Sequence, residues 1–216
     1  MFFLSFCQSS SLEGLEDELI SSLPFGKNEI ERLLSIKRRE ARLESLAALS
    51  ALHAIIEKAQ ISTHDLTILR EEGGKPYFAK LPIYFSLSHS SGLSVAALSD
   101  SPVGIDVEQI SDKRDVFRLS KRFFAPSEHS LVRESSEPIL SFYSLWTRHE
   151  AFAKASGLGL ASICGSPLPA SAFFSQLSLS FNEKNFMLSL CALTGALECL
   201  EIINPYQELK IYELQN

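Results

Sequence analysis

The chain has 216 residues, 45% of them hydrophobic, so it can bury a core in one large domain or in two smaller ones. Its formal net charge of −6 excludes the global basic field that draws proteins to nucleic acid or to an anionic membrane. An anionic ligand therefore has to be held by a local group of cations. The apolar run at 2–7 is short and lacks the basic residues of a signal sequence, and no 18-residue apolar run occurs, so we expect a soluble cytoplasmic protein.

The cysteines give no metal-binding or redox pattern. Cys7, Cys164, Cys191 and Cys199 include no C-x-x-C pair, and an apolar segment separates the last two. This spacing favours buried free thiols in a reducing compartment, with a zinc site or disulfides as the alternatives.

The first half of the chain alternates helical and strand patterns. Before residue 60 we predict a strand at 2–7, a helix at 12–23, and a helical stretch of about thirty residues from Asn28 that breaks near Lys37-Arg38-Arg39. After it we predict strands at 66–70, 83–87 and 93–98, with loops at 71–76 and 88–92 and a turn at 100–102.

The second half repeats this alternation. We predict a strand at 103–107, helices at 114–124 and 127–132, a polar loop at 134–138, a long helix to Ser156, strands at 177–181, 186–193 and 196–203, and an edge strand at 206–214. In each half a helix bearing Arg-x-Glu-Ala, at 38–41 and at 148–151, precedes a run of strands. We therefore predict an α+β protein of two similar halves, 1–102 and 103–216, with a ligand cleft between them. Two tandem halves make an internal pseudo-dimer, so we expect a monomer.

The long second-half helix separates chemistry from packing. Trp146, Glu150 and Lys154 are spaced i, i+4, i+8, so they lie on one stripe, while Phe142, Leu145, Phe152 and Ser156 form a neighbouring, mostly apolar stripe. Gly157 is a natural C-terminal stop. The alternative is a solvated helix whose Glu150–Lys154 pair adds a few tenths of a kcal/mol.

Gly104-Ile-Asp-Val-Glu108 places two acids on one side of a strand. Ile105 and Val107 face a core, while Asp106 and Glu108 point to the other side, roughly 6–7 Å apart. Two such carboxylates repel each other unless a cation joins them, and a third oxygen ligand from Glu150 would complete a site for Mg²⁺. The alternative is an exposed strand face with two solvated acids.

Several cations lie at the ends of elements. His89 is predicted in a loop beside Ser88, and Lys75 is fixed by the Lys-Pro bond after two glycines, so either can contact a phosphate. Arg39 and Arg70 are two more such cations. Each of them can also be an ordinary surface residue. Glu128 begins a helix, whose dipole stabilises a carboxylate even without another role.

Taken together, Gly104-Ile-Asp-Val-Glu108 and Trp146-Thr-Arg-His-Glu-Ala-Phe-Ala-Lys154 resemble the two signature motifs of the 4′-phosphopantetheinyl transferases of the surfactin-synthetase-activating type. The resemblance extends to Gly74-Lys-Pro76, Phe85-Ser-Leu-Ser-His-Ser90 and Lys121-Arg-Phe-Phe-Ala-Pro-Ser-Glu128, in the family's order. It covers about residues 35–160.

The resemblance implies a pseudo-two-fold enzyme of two α+β halves, with coenzyme A and Mg²⁺ in the cleft. Such an enzyme moves 4′-phosphopantetheine from coenzyme A to a serine of an acyl or peptidyl carrier protein and releases 3′,5′-ADP. By the family pattern, Asp106, Glu108 and Glu150 would hold the metal and Lys154 would contact the transferred phosphate. Either Glu128 or a metal-bound water would be the base.

The same pattern assigns the coenzyme A contacts. Lys75, Ser88 and His89 would bind its phosphates, and Arg39 and Arg70 would bind its 3′-phosphate. The position before Glu150 is usually lysine in this family and is His149 here, a change that we expect to alter packing more than chemistry.

Two other classes of function stay open. One is a non-catalytic coenzyme A-binding protein of the same fold, which would bind coenzyme A without depending on Mg²⁺. The other is a carboxylate-metal phosphohydrolase, which would release phosphate from a nucleotide without a carrier protein.

Overall fold

The computed structural model describes residues 1–194, 200–206 and 208–213, and its mixture of helices and strands confirms the α+β fold. The helices are α1 (Glu16–Ser22), α2 (Gly26–Ser35), α3 (Arg39–Lys58), α4 (Val116–Phe123), α5 (Pro126–Glu134), α6 (Pro138–Ser156) and α7 (Leu160–Ile163). The strands are β1 (Phe2–Gln8), β2 (Ile68–Arg70), β3 (Pro76–Phe78), β4 (Tyr84–Ser90), β5 (Leu93–Ser99), β6 (Val103–Gln109), β7 (Phe173–Phe181), β8 (Lys184–Ala192), β9 (Leu200–Ile203) and β10 (Lys210–Glu213). Short 3₁₀ turns lie at Ser9–Leu12 and Thr63–Asp65.

The first sheet has the order β4-β5-β1-β9 and is covered by α3. Strand β1 pairs antiparallel with β5 and parallel with β9. Apolar side chains of α3, including Leu46 and Leu52, are buried against Phe85 and Leu98 of the sheet. The helical period of the sequence therefore produced a helix that is buried along one side.

The second sheet has the order β10-β7-β8-β6, and α6 packs on β6 and β8. Both halves share one connectivity: a strand, then a long helix, then a hairpin whose second strand pairs antiparallel with the first strand (β1-α3-β4-β5 and β6-α6-β7-β8). The Arg-x-Glu-Ala matches, however, fall at the start of α3 and beyond the middle of α6. The internal repeat thus rests on strand order, and the two-fold axis itself stays a prediction.

The halves meet along β4 and β6 through a row of serine hydroxyls. Ser86, Ser88 and Ser90 of β4 accept hydrogen bonds from the backbone N–H groups of Ile105, Val107 and Gln109, at 3.1, 3.4 and 3.0 Å. Strand β8 pairs with the other edge of β6, so the serines satisfy an edge that would otherwise lack backbone partners. One apolar cluster also contains residues of both halves, so they share a core; the boundary at 102/103 stays a prediction.

Two predicted elements differ from the structure. The helix predicted at 12–23 is a 3₁₀ turn followed by the shorter α1. The loop predicted at 88–92 is wrong, because β4 continues to Ser90 and pairs His89 with Ser94. The reason is a tight turn: Ser91 and Gly92 both have positive φ, 52° and 90°, the conformation of a two-residue hairpin loop.

The C-terminal strands agree with the structure where it describes them. Strand β9 covers the end of the segment predicted at 196–203, whose residues 196–199 lie outside the described residues. Strand β10 pairs with β7 at the edge of the second sheet, while residues 207 and 214 of the predicted edge strand also lie outside them. Across the described ranges, no helix combines the length and the apolar character needed to span a membrane.

Candidate active site

Strand β6 presents Asp106 to helix α6 and to strand β4. Ile105 and Val107 lie in the core, as the alternation predicts, and Asp106 is 6% exposed. Its Oδ1 accepts hydrogen bonds from Ser88 Oγ and from Lys154 Nζ, each at 2.8 Å. Its Oδ2 is buried and has no hydrogen-bond partner among the residues that the structure describes. An unpaired buried carboxylate oxygen is costly, so this atom is a candidate ligand for a cation.

Lys154 of α6 is the cation of this network. Its Nζ also donates to Ser88 Oγ and to the carbonyl oxygen of Ile105, each at 3.0 Å. All three contacts of the ammonium join α6 to β4 and β6. Lys154 therefore forms its ion pair with Asp106 of strand β6. The alternative of a solvated Glu150–Lys154 pair does not describe how the ammonium is held.

Gly104 permits the close approach of β6 to α6. A Cβ built on Gly104 would lie 2.0 Å from the carbonyl oxygen of Ala151 and 2.4 Å from the backbone nitrogen of Ala155. The strand-facing side of α6 consists of small or hydroxyl side chains, including Thr147, Ala151 and Ala155, all buried. Along the predicted packing stripe, Phe142 is buried and the half-buried Leu145 and Phe152 pack against apolar clusters, while the half-buried Ser156 donates to the carbonyl oxygen of Phe152.

Glu108 and Glu150 complete the group of acids. Glu108 Oε2 accepts hydrogen bonds from Ser90 Oγ and from Arg114, each at 3.3 Å, so it lies on the same side of β6 as Asp106. Burial raises the pKa of Glu150, and the carboxylates of Asp106 and Glu108 raise it further, while Lys154 and His149 lower it. Glu150 therefore feels the negative field of both strand acids.

The chemistry of these donors fits a divalent cation, although the acids are not assembled as a ligand cage. Within the described ranges, no three His, Cys, Asp or Glu side chains are grouped closely enough to hold a metal ion. Asp106 and Glu108 face Lys154 and Arg114 instead, since like charges separate unless a cation joins them. The unpaired Asp106 Oδ2 and the raised pKa of Glu150 mark where positive charge would be most favourable. The metal assignment stays a prediction.

A cleft of about 370 Å³ opens beside this network. Lys154 and Glu150 line one side, and four other groups that are or can become cationic line the rest: Arg32, Arg70, Lys75 and His89. The cleft thus concentrates positive charge in a chain of net charge −6. Such an arrangement is typical of sites for phosphorylated ligands.

Two of the predicted phosphate contacts line this cleft. Lys75 Nζ donates to the carbonyl oxygen of Ala155 at 2.9 Å, and burial lowers its pKa. His89 Nδ1 lies 3.3 Å from Glu44 Oε2, and this contact helps to lower the pKa of Glu44. Ser88, predicted with them, points instead to Asp106 and Lys154.

The two predicted arginines differ in place. Arg70 lines the cleft, where it bonds to Glu29 and to the carbonyl oxygen of Gly74. Arg39 pairs with Glu16 on an exposed surface and is not among the described residues that line the cleft. Arg32, which was not predicted from the sequence, lines the cleft and shares Glu29 with Arg70. Its spacing of three from Glu29 on α2 is the sequence signal that could have drawn attention to it.

Glu128 is buried and tied to three partners. Its Oε2 accepts from the backbone nitrogen of Ala125 at 3.2 Å, which caps α5, and its Oε1 accepts from that of Leu168 at 3.2 Å. His149 Nε2 lies 3.0 Å from Glu128 Oε2, and the imidazole ring of His149 stacks on the ring of Phe124. Burial raises the pKa of Glu128, but His149 and the backbone donors outweigh it and the net shift is downward. His149 therefore changes both packing and the immediate partner of the predicted base.

Comparisons with known proteins show which family the chain belongs to. Residues 102–190, which include β6 and α6, match the family model of the 4′-phosphopantetheinyl transferase superfamily. The chain is 33% identical over 141 residues to the 4′-phosphopantetheinyl transferase AcpT of Escherichia coli (strain K12), covering 61% of this chain and 71% of that protein. The chain therefore belongs to the 4′-phosphopantetheinyl transferase superfamily.

Two relatives from Bacillus subtilis match over a shorter segment. One 4′-phosphopantetheinyl transferase is 38% identical over 94 residues, which cover 42% of this chain and 41% of that protein. The transferase Sfp of strain 168 is 34% identical over 110 residues, which cover 50% of this chain and 48% of Sfp. The matched segment thus spans less than half the length of these relatives.

Proposed function

We propose that this protein is a cytoplasmic, Mg²⁺-dependent 4′-phosphopantetheinyl transferase that modifies a serine of an acyl or peptidyl carrier protein. The observation that carries the proposal is the Lys154–Asp106 pair, with its unpaired buried carboxylate oxygen, beside a cleft lined by cations. Family membership supports the reaction type, because relatives that match part of this chain carry that enzyme name.

Coenzyme A is the proposed donor substrate. It carries a pyrophosphate and a 3′-phosphate, and the cleft offers Lys75 and His89 for the first and Arg70 for the second. The lowered pKa of Lys75 reflects a partly buried ammonium, which gains more from an anion than a fully solvated one. Arg39 is the weakest of the proposed contacts, since its guanidinium is paired with Glu16.

Asp106, Glu108 and Glu150 are the residues that would hold Mg²⁺, which would neutralise charge on the pyrophosphate and make the leaving group better. Lys154 contributes a fixed ammonium, held by three acceptors, next to the oxygens where negative charge grows. Catalysis of this kind depends mostly on positioning and electrostatics.

In the proposed reaction, the carrier serine oxygen attacks the phosphorus that bears the pantetheine arm. A new P–O bond forms, the bond to the bridging pyrophosphate oxygen breaks, and 3′,5′-ADP leaves with that oxygen. The serine proton passes to Glu128, whose lowered pKa keeps it ionised near neutral pH. Accepting that proton requires Glu128 to release one of its present partners. His149, which stands where the family usually has lysine, is one of these partners.

The proposal is tested by incubating the protein with coenzyme A, MgCl₂ and a panel of apo carrier domains. We expect a carrier to gain the mass of one phosphopantetheine, and EDTA to suppress the gain. Asp106→Ala should abolish transfer while far-UV circular dichroism shows a retained fold. Asp112→Ala, in the exposed loop after β6, is the matched control and should transfer normally.

The other outcomes separate the rival functions. Unchanged mass for every carrier in the panel would count against the transferase. Binding of coenzyme A that does not depend on Mg²⁺, without transfer, would identify a binding protein. Release of phosphate from a nucleotide in the absence of a carrier would identify a phosphohydrolase.

A further inference from the structure

A buried carboxylate holds two arginines at the rim of the cleft. Glu29 lies in the first turn of α2 and is 2% exposed. Its Oε1 is 2.8 Å from both Nε and a terminal nitrogen of Arg32, and 2.9 Å from a terminal nitrogen of Arg70. One carboxylate oxygen therefore fixes two guanidinium groups, one from its own helix and one that lies 41 positions after Glu29 in the sequence.

The two arginines remain accessible to a ligand. Each side chain is 33% exposed, and both line the cleft that contains Lys75 and Lys154. Arg70 also donates to the carbonyl oxygen of Gly74 at 3.0 Å, so it is tied to the loop that carries Lys75. Each guanidinium has five N–H donors, and the contacts to Glu29 and Gly74 use only part of them.

The charges of this trio suit a phosphate monoester. Two guanidinium groups held close together repel each other, and Glu29 offsets that repulsion while leaving a net charge of +1 at the cleft. A phosphate monoester carries about −1.5 to −2 near pH 7 and accepts forked hydrogen bonds from arginine. A hydroxyl group at the same place would offer no anionic partner to the arginine donors that Glu29 and Gly74 leave free.

We propose that Glu29 is a positioning residue that orients Arg32 and Arg70 so that both bind the 3′-phosphate of coenzyme A. The inference rests on the proposed function, since it assumes that coenzyme A occupies the cleft. Glu29 touches no ligand itself; it sets the geometry of two groups that do. The consequence is selectivity for coenzyme A over 3′-dephospho-coenzyme A, which differs only in that phosphate.

The test is calorimetric binding of both ligands to the wild type and to Glu29→Gln. Glutamine preserves shape but removes the charge, so we expect about tenfold weaker binding of coenzyme A, from loss of a charge-assisted contact. The affinity for 3′-dephospho-coenzyme A should stay within about twofold of wild type, because this ligand lacks the phosphate that the arginines contact. A twofold change is smaller than the loss of one contact would cause. Glu31→Gln, on the solvent side of the same helix and paired with Lys27, is the matched control and should bind both ligands as wild type.

The outcomes distinguish this inference from the proposed function. Wild-type protein that binds neither ligand removes the proposed function and this inference with it. Wild-type protein that binds both equally removes the inference alone, as does a Glu29→Gln variant that loses affinity for both ligands to the same extent, because a purely structural role lowers both. Should Glu29→Gln fail to fold, Arg32→Gln leaves the buried Glu29–Arg70 pair in place and must lose the same selectivity.

Discussion

The contact between Gly104 and helix α6 can be tested by adding a single carbon atom. In Gly104→Ala the new Cβ would lie 2.0 Å from Ala151 O and 2.4 Å from Ala155 N, whereas ordinary contacts begin at 3.4 Å. Strand and helix must therefore separate by at least about 1 Å, since both atoms are backbone and no side chain can turn away. Overpacking of this kind costs about 1–3 kcal/mol, and we expect the upper end of that range.

The separation would also disturb the site. The contacts of Lys154 Nζ to Asp106 and Ile105 are 2.8 and 3.0 Å long and span the same interface, so moving α6 by about 1 Å takes them beyond hydrogen-bonding distance. A displacement of that size lowers turnover by about 10²-fold. Transfer rates with an apo carrier measure this second effect.

Urea denaturation measures the first effect as a change in the free energy of unfolding. Gly73→Ala is the control for stability, because Gly73 has no positive φ and no atom within 4 Å of a new Cβ. Adding Ala151→Gly to Gly104→Ala should restore neither the free energy of unfolding nor the transfer rate, since the clash is with the backbone of Ala151. A Gly104→Ala protein within about 0.5 kcal/mol of wild type, the scatter of ordinary surface substitutions, would refute the reasoning.

Three further predictions follow from the pKa shifts. Because the pKa of Glu128 is lowered in the folded state, its ionised form stabilises the protein above the unfolded pKa of about 4.3, and this stability is lost as pH falls through the folded pKa. Glu128→Gln should therefore flatten the acid side of a curve of unfolding free energy against pH. An unchanged slope would contradict this prediction. Asp106→Asn should lower the pKa of Glu150 in a carbon-detected NMR titration of metal-free protein, since it removes a neighbouring negative charge. An unchanged pKa of Glu150 would show that the two carboxylates do not interact. A thiol reagent at pH 8 should label the exposed Cys164 within minutes while Cys191, whose pKa burial raises to about 12, reacts only after unfolding; peptide mass spectrometry would show equal labelling if this is wrong.

The strand chemistry of this protein was readable from sequence because it depends on local periodicity. In Gly104-Ile-Asp-Val-Glu108 the alternation of side chains alone placed Asp106 and Glu108 on one side, and the structure agrees. The tight turn after β4 was not predicted, because Ser91 adopts a positive φ and serine is not a residue type that indicates this conformation. His89 was consequently expected in a loop, although it lies on a strand.

Contacts between distant segments were less predictable. Nothing in the local pattern of α2 shows that Glu29 would meet Arg70, since the pairing depends on how the β2–β3 hairpin packs against that helix. The pairing of Lys154 with Asp106 was hidden for a related reason: Glu150 is its neighbour at i−4, but the strand acid lies closer. A glycine in a strand together with alanines at i and i+4 of a helix was a usable indication of the close β6–α6 contact.

Three buried carboxylates in this protein share one arrangement. Glu29, Asp106 and Glu128 are 2%, 6% and 7% exposed, and each holds a cation or a histidine. Buried ion pairs contribute little net stability, because the cost of removing the charges from water offsets their attraction. Stability alone therefore gives no reason for these pairs.

Positioning gives a reason for two of them. Glu29 and Asp106 fix the long side chains of Arg32, Arg70 and Lys154 at the cleft, so their rotamer entropy is lost during folding and not again when an anion binds. The remaining acids of a chain of net charge −6 oppose binding only weakly, because salt screens charges beyond about 8 Å at physiological ionic strength. Cations within hydrogen-bonding distance of a phosphate are screened far less, so an acidic protein can bind an acidic substrate provided that a few of its acids are buried where they orient the cations.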